Sequence, residues 1–193
     1  MQSLRLRAVA YDAIPGLYAR IARDFPSPAE RPPLATFRRY VKSGAAEAFD
    51  VLLGAESAAY TACTWGDESV LCSFLAVEPA MRGRGIGSLV LRRLCAYYES
   101  AKGIIVEVEQ PELAEEEADR LHRERRIAFY ERAGFTLVPG LDYAIWGIPM
   151  HLMVRPLCAG FADIAASLPG EMTAVYGKLF PPKLMHKMHI ERK

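Results

Sequence analysis

Phe74-Leu75-Ala76-Val77-Glu78-Pro79-Ala80-Met81-Arg82-Gly83-Arg84-Gly85-Ile86-Gly87-Ser88 is the stretch on which the fold turns. Its apolar start suits a strand, Glu78 to Met81 a turn, and the glycines lead into a helix over Ser88 to Ala101. That helix sets Leu91, Leu94, Cys95 and Tyr98 on one face and Arg92, Arg93 and Glu99 on another, and Gly103 ends it. Glycines at 83, 85 and 87 let backbone approach a ligand in conformations closed to other residues. A helix N-terminus offers free N–H groups and partial positive charge, and Arg82 and Arg84 add full charges. Together these are the parts of a pyrophosphate cradle, although a purely structural glycine turn has the same local appearance. The dinucleotide spacing G-x-G-x-x-G is not met, and no Lys-Ser/Thr pair follows as an NTPase loop requires. The loop also comes after several antiparallel strands, not after the first strand of a parallel sheet.

Upstream, Leu4 to Tyr11 alternates like an edge strand, and Ile14 to Arg23 reads as a short amphipathic helix. Asp24 to Pro28 ends that helix, Ala29 to Pro33 is a proline-rich loop, and Leu34 to Ser43 is helical again. Strands follow at Phe49 to Leu53, Ala58 to Thr64 and Val70 to Val77, with turns at Gly54-Ala55-Glu56 and Gly66-Asp67-Glu68. Downstream, Gly103 to Glu109 is a strand, parallel to its predecessor across the helix. A helix from Glu115 to Ala133 is acidic at its start and basic later, as the macrodipole favours. Phe135 to Val138 and Met150 to Val154 complete the sheet, joined by a loop from Pro139 to Pro149. After Pro169, the spacing of Met172, Val175, Tyr176 and Leu179 predicts a C-terminal helix, and the basic tail from Pro181 is expected to fray. The expected class is α/β (α+β): a mixed, mostly antiparallel sheet with helices on both faces. Residues 1–157 would be one domain and 158–193 an extension packed on it or on a partner subunit.

Composition narrows the function. In 193 residues, Lys+Arg number 24 against Asp+Glu 23, so the +1 net charge speaks against general nucleic-acid binding. The four cysteines lie far apart without a C-x-x-C pair, which favours reduced thiols over disulfides or zinc. His122, His151, His186 and His189 lack metal-ligand spacing, although His186 and His189 could share a helix face. Neither a signal peptide nor a membrane-spanning run is read, so the expected location is cytoplasmic, with no membrane partner and no metal.

The sequence resembles the GNAT superfamily of acyl-CoA-dependent N-acetyltransferases. The family's pyrophosphate motif, Gln/Arg-x-x-Gly-x-Gly/Ala, is filled by Arg82, Gly85 and Gly87, and Val77-x-Pro79-x-x-Arg82-Gly83 is similar to its lead-in. Downstream, Phe129-Tyr130-Glu131-Arg132-Ala133-Gly134-Phe135 is similar to the family's FYxxxGF helix end. The two motifs flank a strand in the family's order, and the resemblance spans about Val70 to Pro156. It implies acetyl-CoA as co-substrate, held by Val77, Arg82, Gly83, Arg84, Gly85, Ile86, Gly87 and Ser88. It also implies that the backbone N–H near Val77 faces the acetyl carbonyl and that Tyr130 stands near the CoA sulfur. Asp24 to Pro33 resembles a segment bordering the acceptor pocket in some bacterial members; a stiff loop without substrate contact is the other reading.

Acetyl transfer to an amine needs a base, because an amine of pKa ~10.4 is only about 0.04% neutral at pH 7. Glu107 and Glu109, two apart on one strand, face the same side. One is a candidate base and the other a holder of a cationic amine; an ion pair with Arg125 or Arg126, or simple exposure, is the alternative. Tyr130 is a candidate acid for the leaving thiolate, or a core tyrosine beside Phe129 and Phe135. Trp146 beside Tyr143 could wall an apolar part of the pocket. The expected acceptor is a small-molecule amine. A protein or peptide N-terminus and a non-catalytic CoA-binding module stay open, as does a homodimer.

Overall fold

Alternating and helical periodicities divide the chain as the residues dictate. A computed structural model describes residues 4–28 and 30–193. Ala29, in the expected proline-rich loop, and Met1 to Ser3 lie outside the described residues. Along the chain come β1 (Leu4–Ala8), α1 (Ile14–Asp24), α2 (Leu34–Lys42), β2 (Glu47–Leu53), β3 (Glu56–Trp65) and β4 (Val70–Val77). Then follow α3 (Ile86–Tyr97), β5 (Gly103–Glu109), α4 (Glu117–Arg132), β6 (Thr136–Leu137), β7 (Leu141–Ile145), β8 (Ile148–Pro156), α5 (Phe161–Leu179) and β9 (Met188–Arg192). Strand order is β1-β2-β3-β4-β5-β8-β7-β9, with β6 on β8. β4 and β5 are parallel, while β1–β2, β2–β3, β5–β8, β6–β8, β7–β8 and β7–β9 are antiparallel. This is the mixed, mostly antiparallel sheet expected. Among the described residues, no helix is long and apolar enough to cross a membrane.

The contacts group into two units, one of residues up to 64 with 72–97, the other of 65–71 with 98–193. In the first, α1 buries Ile14, Leu17 and Ile21, a stripe spaced by three and four, against Phe37 of α2 and Ala48, Tyr60, Ala62 and Phe74 of the strands. Each such large side chain contributes roughly 1.5–3 kcal/mol of burial. In the second, β5 buries Ile104, Ile105, Val106 and Val108 and pairs with β8 from Gly103↔Pro156 to Glu109↔Met150. The parallel β4–β5 ladder comprises Val70↔Ile104 and Leu71↔Ile105.

Three segments depart from expectation. The loop from Pro139 to Pro149 contains β7, whose Leu141, Tyr143 and Ile145 alternate. It turns into β8 through Trp146 and Gly147 at φ +55° and +78°, the left-handed pair of a two-residue hairpin. The C-terminal helix starts at Phe161 and runs straight through Pro169. Ile164, Leu168, Met172, Val175 and Leu179 are buried along one stripe, which outweighs the ~3 kcal/mol a mid-helix proline costs. Pro169 has no N–H to offer Ala165 O, and the Arg192 guanidinium donates to that carbonyl instead. The tail forms β9 on β7, from Leu141↔Arg192 to Ile145↔Met188, where fraying was expected. His186 and His189 therefore share no helix: one lies in the 3-10 turn before β9, the other in β9 itself.

α5 is also tied to the β3–β4 turn. The Glu171 carboxylate, 3% exposed, accepts N–H bonds from Asp67 (3.0 Å), Glu68 (3.1 Å) and Ser69 (3.0 Å). A Cβ at Gly66 would run into that carboxylate. Lys178 donates to the carbonyls of Trp65 and Gly66 at 2.9 and 2.7 Å.

Candidate active site

In the first unit, β4 ends at Val77, a 3-10 turn covers Pro79–Met81, and α3 begins at Ile86. Gly83 and Gly85 both sit at φ +74° with open space where a Cβ would stand, so glycine is needed for conformation and not for room. The N–H groups of Ile86, Gly87 and Ser88 belong to the first helical turn, which has no intrahelical acceptor for them. Open glycines followed by unpaired helix amides are a donor set that fits a pyrophosphate.

Arg82 is engaged within the loop. Its Nε donates to Val77 O at 3.1 Å and a terminal nitrogen to Asp24 Oδ1 at 2.8 Å. Asp24 closes α1 and also accepts from Tyr60 OH at 2.9 Å. Burial alone would raise the Asp24 pKa, but bonds from Arg23 and Tyr60 and the charge of Arg82 hold it below the usual range. Glu78, next to Val77, accepts from Arg20 at 2.6 Å and Arg23 at 3.0 Å, and Arg20 also reaches Asp50 at 2.9 Å. The sequence reading placed Asp24 in a loop and Glu78 in a turn and gave Arg20 and Asp50 no role, because the ion pairs that join Arg20 to Glu78 and Asp50 and Arg82 to Asp24 span tens of residues. The loop after α1 is pinned by Tyr18 OH on Pro32 O at 2.7 Å and by Arg31 on Phe25 O at 2.9 Å.

In the second unit, Tyr130 stands in the last turns of α4, with ring centroids 5.1 Å from Phe129 and 5.3 Å from Phe135. Its carbonyl accepts the N–H of Ala133 at 2.9 Å and of Phe135 at 3.1 Å, closing the helix over Gly134 at φ +83°. Glu107 and Glu109 share a face of β5 but have different surroundings. Glu109 pairs with Arg126 at 3.0 Å. Glu107 Oε1 accepts the hydroxyls of Tyr143 on β7 and Tyr176 on α5, the latter at 2.7 Å. Burial pushes the Glu107 carboxyl above its ordinary pKa, and the two phenol bonds only partly offset this. The Tyr143 phenol is pushed well up, by burial first and then by the charge of Glu107. The Tyr176 ring packs tilted against Phe180 at 4.8 Å, and Phe180 against Trp146 at 5.0 Å, Trp146 being 42% exposed. The sequence marked Tyr143 and Tyr176 by pattern but gave neither a polar partner. Among the described residues, no group of three or more His, Cys, Asp or Glu could hold a metal ion.

Residues 48–137 match the family model of the acetyltransferase (GNAT) domain, a span that takes in the glycine loop, β5 and Tyr130. This chain carries a GNAT acetyltransferase domain. No curated protein matches the chain. Among solved structures, a protein from Bacteroides thetaiotaomicron described as a GNAT-family acetyltransferase is similar at 25% identity, with TM-score 0.67, covering 90% of this chain and 98% of its own. A chimera of spermidine N-acetyltransferase SpeG from Vibrio cholerae shares the fold at 13% identity and TM-score 0.60, over 81% and 96%. The ribosomal L7/L12 alpha-N-protein acetyltransferase RimL, in complex with coenzyme A, shares it at 14% identity and TM-score 0.58, over 83% and 97%. The GNAT match ends at Leu137, so the acetyltransferase's Tyr143 and Tyr176 lie on elements outside the matched span.

Proposed function

We propose that the enzyme moves an acetyl group from acetyl-CoA to a primary amine of a small molecule, by direct attack in a ternary complex. Residues 1–157 form the acetyltransferase domain in this reading, and 158–193 an extension serving its acceptor side. The backbone of Gly83, Gly85, Ile86, Gly87 and Ser88 holds the pyrophosphate, with Arg82 and Arg84 adding charge, and the Val77 N–H faces the acetyl carbonyl. Glu107 takes the amine proton, the nitrogen bonds to the acetyl carbon as the C–S bond breaks, and Tyr130 protonates the leaving thiolate. Glu109, with Arg126, sets the charge beside the acceptor. A cytoplasmic location belongs to this reading, supported by cysteines that form no disulfide.

The single observation that carries the amine reading is Glu107: a carboxylate bonded by two phenols and held by burial above its ordinary pKa is a stronger proton acceptor than an exposed one. The structural neighbours whose names state an acceptor include one that acts on spermidine and one that acts on a ribosomal protein. The test is free-thiol release from acetyl-CoA against polyamines, amino acids, aminoglycosides and peptide N-termini. Release with small amines is expected. Release with peptide N-termini alone would move the acceptor to proteins.

A further inference from the structure

We infer that Tyr143 and Tyr176 are positioning residues of the acceptor side, whose hydroxyls fix the Glu107 carboxylate for the incoming amine. The inference rests on Glu107 being the base. Both hydroxyls converge on one oxygen, Oε1, and Oε2 is then the atom that takes the proton.

Neither phenol is free to wander. Tyr143 is fully buried and stands opposite Ile190 in the β7–β9 ladder. Tyr176 is 6% exposed, its ring held by Phe180, and its helix is fastened to the β3–β4 turn through Glu171. A carboxylate surrounded by protein costs free energy that apolar residues of similar volume would avoid. Two buried tyrosines aimed at it are an arrangement for keeping a carboxylate usable, not for filling space. The three residues come from β5, β7 and α5, and two of those elements lie outside the span shared with the GNAT family model.

Of the groups on the elements paired or packed with β5, His151 of β8 pairs with Glu112 and Arg155 donates to Ala133 O. β8 offers Met150, Leu152 and Val154 in register with Glu109, Glu107 and Ile105. On α4, Arg126 pairs with Glu109, and Arg123 with Gln110 O and Asp119. On α5, Glu171 and Lys178 engage residues 65–69. The phenols are therefore the hydrogen-bond donors that favour the ionised form of Glu107. Removing one raises its pKa further.

The test is the pH profile of kcat/KM for the full-length chain with acetyl-CoA and the best amine from the panel, in Tyr143→Phe, Tyr176→Phe and Glu107→Gln. In each phenylalanine variant the acidic limb is expected to move up by about one pH unit, with KM for acetyl-CoA unchanged. Glu107→Gln should lose that limb. If both phenylalanine variants lose turnover or thermal stability while the limb stays in place, the tyrosines are structural and the inference is overturned, although Glu107 keeps its role. If Glu107→Gln retains the limb, the base reading falls and the inference with it. Should Tyr143→Phe not fold, Tyr176→Phe decides alone.

Discussion

Tyr130 and Asp50 show how differently single residues declare themselves. Tyr130 was legible because it sits in a motif of contiguous residues, and the structure puts it between two aromatic rings at the end of α4. As the acid for the thiolate, Tyr130→Phe should lower kcat by about 10²–10⁴-fold and leave acetyl-CoA affinity intact, read by steady-state kinetics with binding calorimetry. Unchanged kcat would remove it from the mechanism. Asp50 was not legible: it lies within an apolar strand and its partners Arg7, Arg20 and Ser57 are scattered along the chain. Burial alone would raise its pKa, but the bonds from Ser57, Arg20 and Arg7 bring it below 3.8. A depressed carboxyl stabilises the fold above its unfolded value, and that stability is lost as pH falls through the folded one. Asp50→Asn should therefore cost about 3 kcal/mol at pH 7, and progressively less as pH drops below 4, in urea titrations across that range. A cost independent of pH would contradict the assignment.

At the scale of elements, what repeated locally was readable and what depended on a distant partner was not. The helices α1 and α2 and the strands β2 to β5 follow from periodicity, because each buries its own stripe or face, whereas α4, which buries only Tyr130, follows from its charge order. β7 was missed since its five residues sit between Gly140 and Gly147 and gain their place from pairing with β8 and the distant β9. α5 was shortened in the sequence reading because proline normally ends a helix, and nothing in the sequence reveals that Arg192 serves Ala165 O. Arg192→Ala should destabilise the chain by about 1.5–3 kcal/mol, the worth of a hydrogen bond to a charged group, in equilibrium unfolding. An unchanged unfolding midpoint would mean that the carbonyl finds another donor.

At the scale of the whole molecule, the sheet class and the glycine loop were both available from order and spacing. The loop's expected ligand came from two motifs flanking one strand, and the match over residues 48–137 takes in both motifs. The acceptor side was thinner. Glu107 and Glu109 looked equivalent in sequence, and their partners distinguish them: the phenols of β7 and α5 for the first, Arg126 for the second. The most direct measurement is acetyl-CoA turnover over the amine panel, with thiol release and acetylated product quantified together. Equimolar thiol and N-acetylated small amine, both abolished in Glu107→Gln, is the expected result. Acetyl-CoA binding with no acetylated small amine from any member of the panel would contradict it.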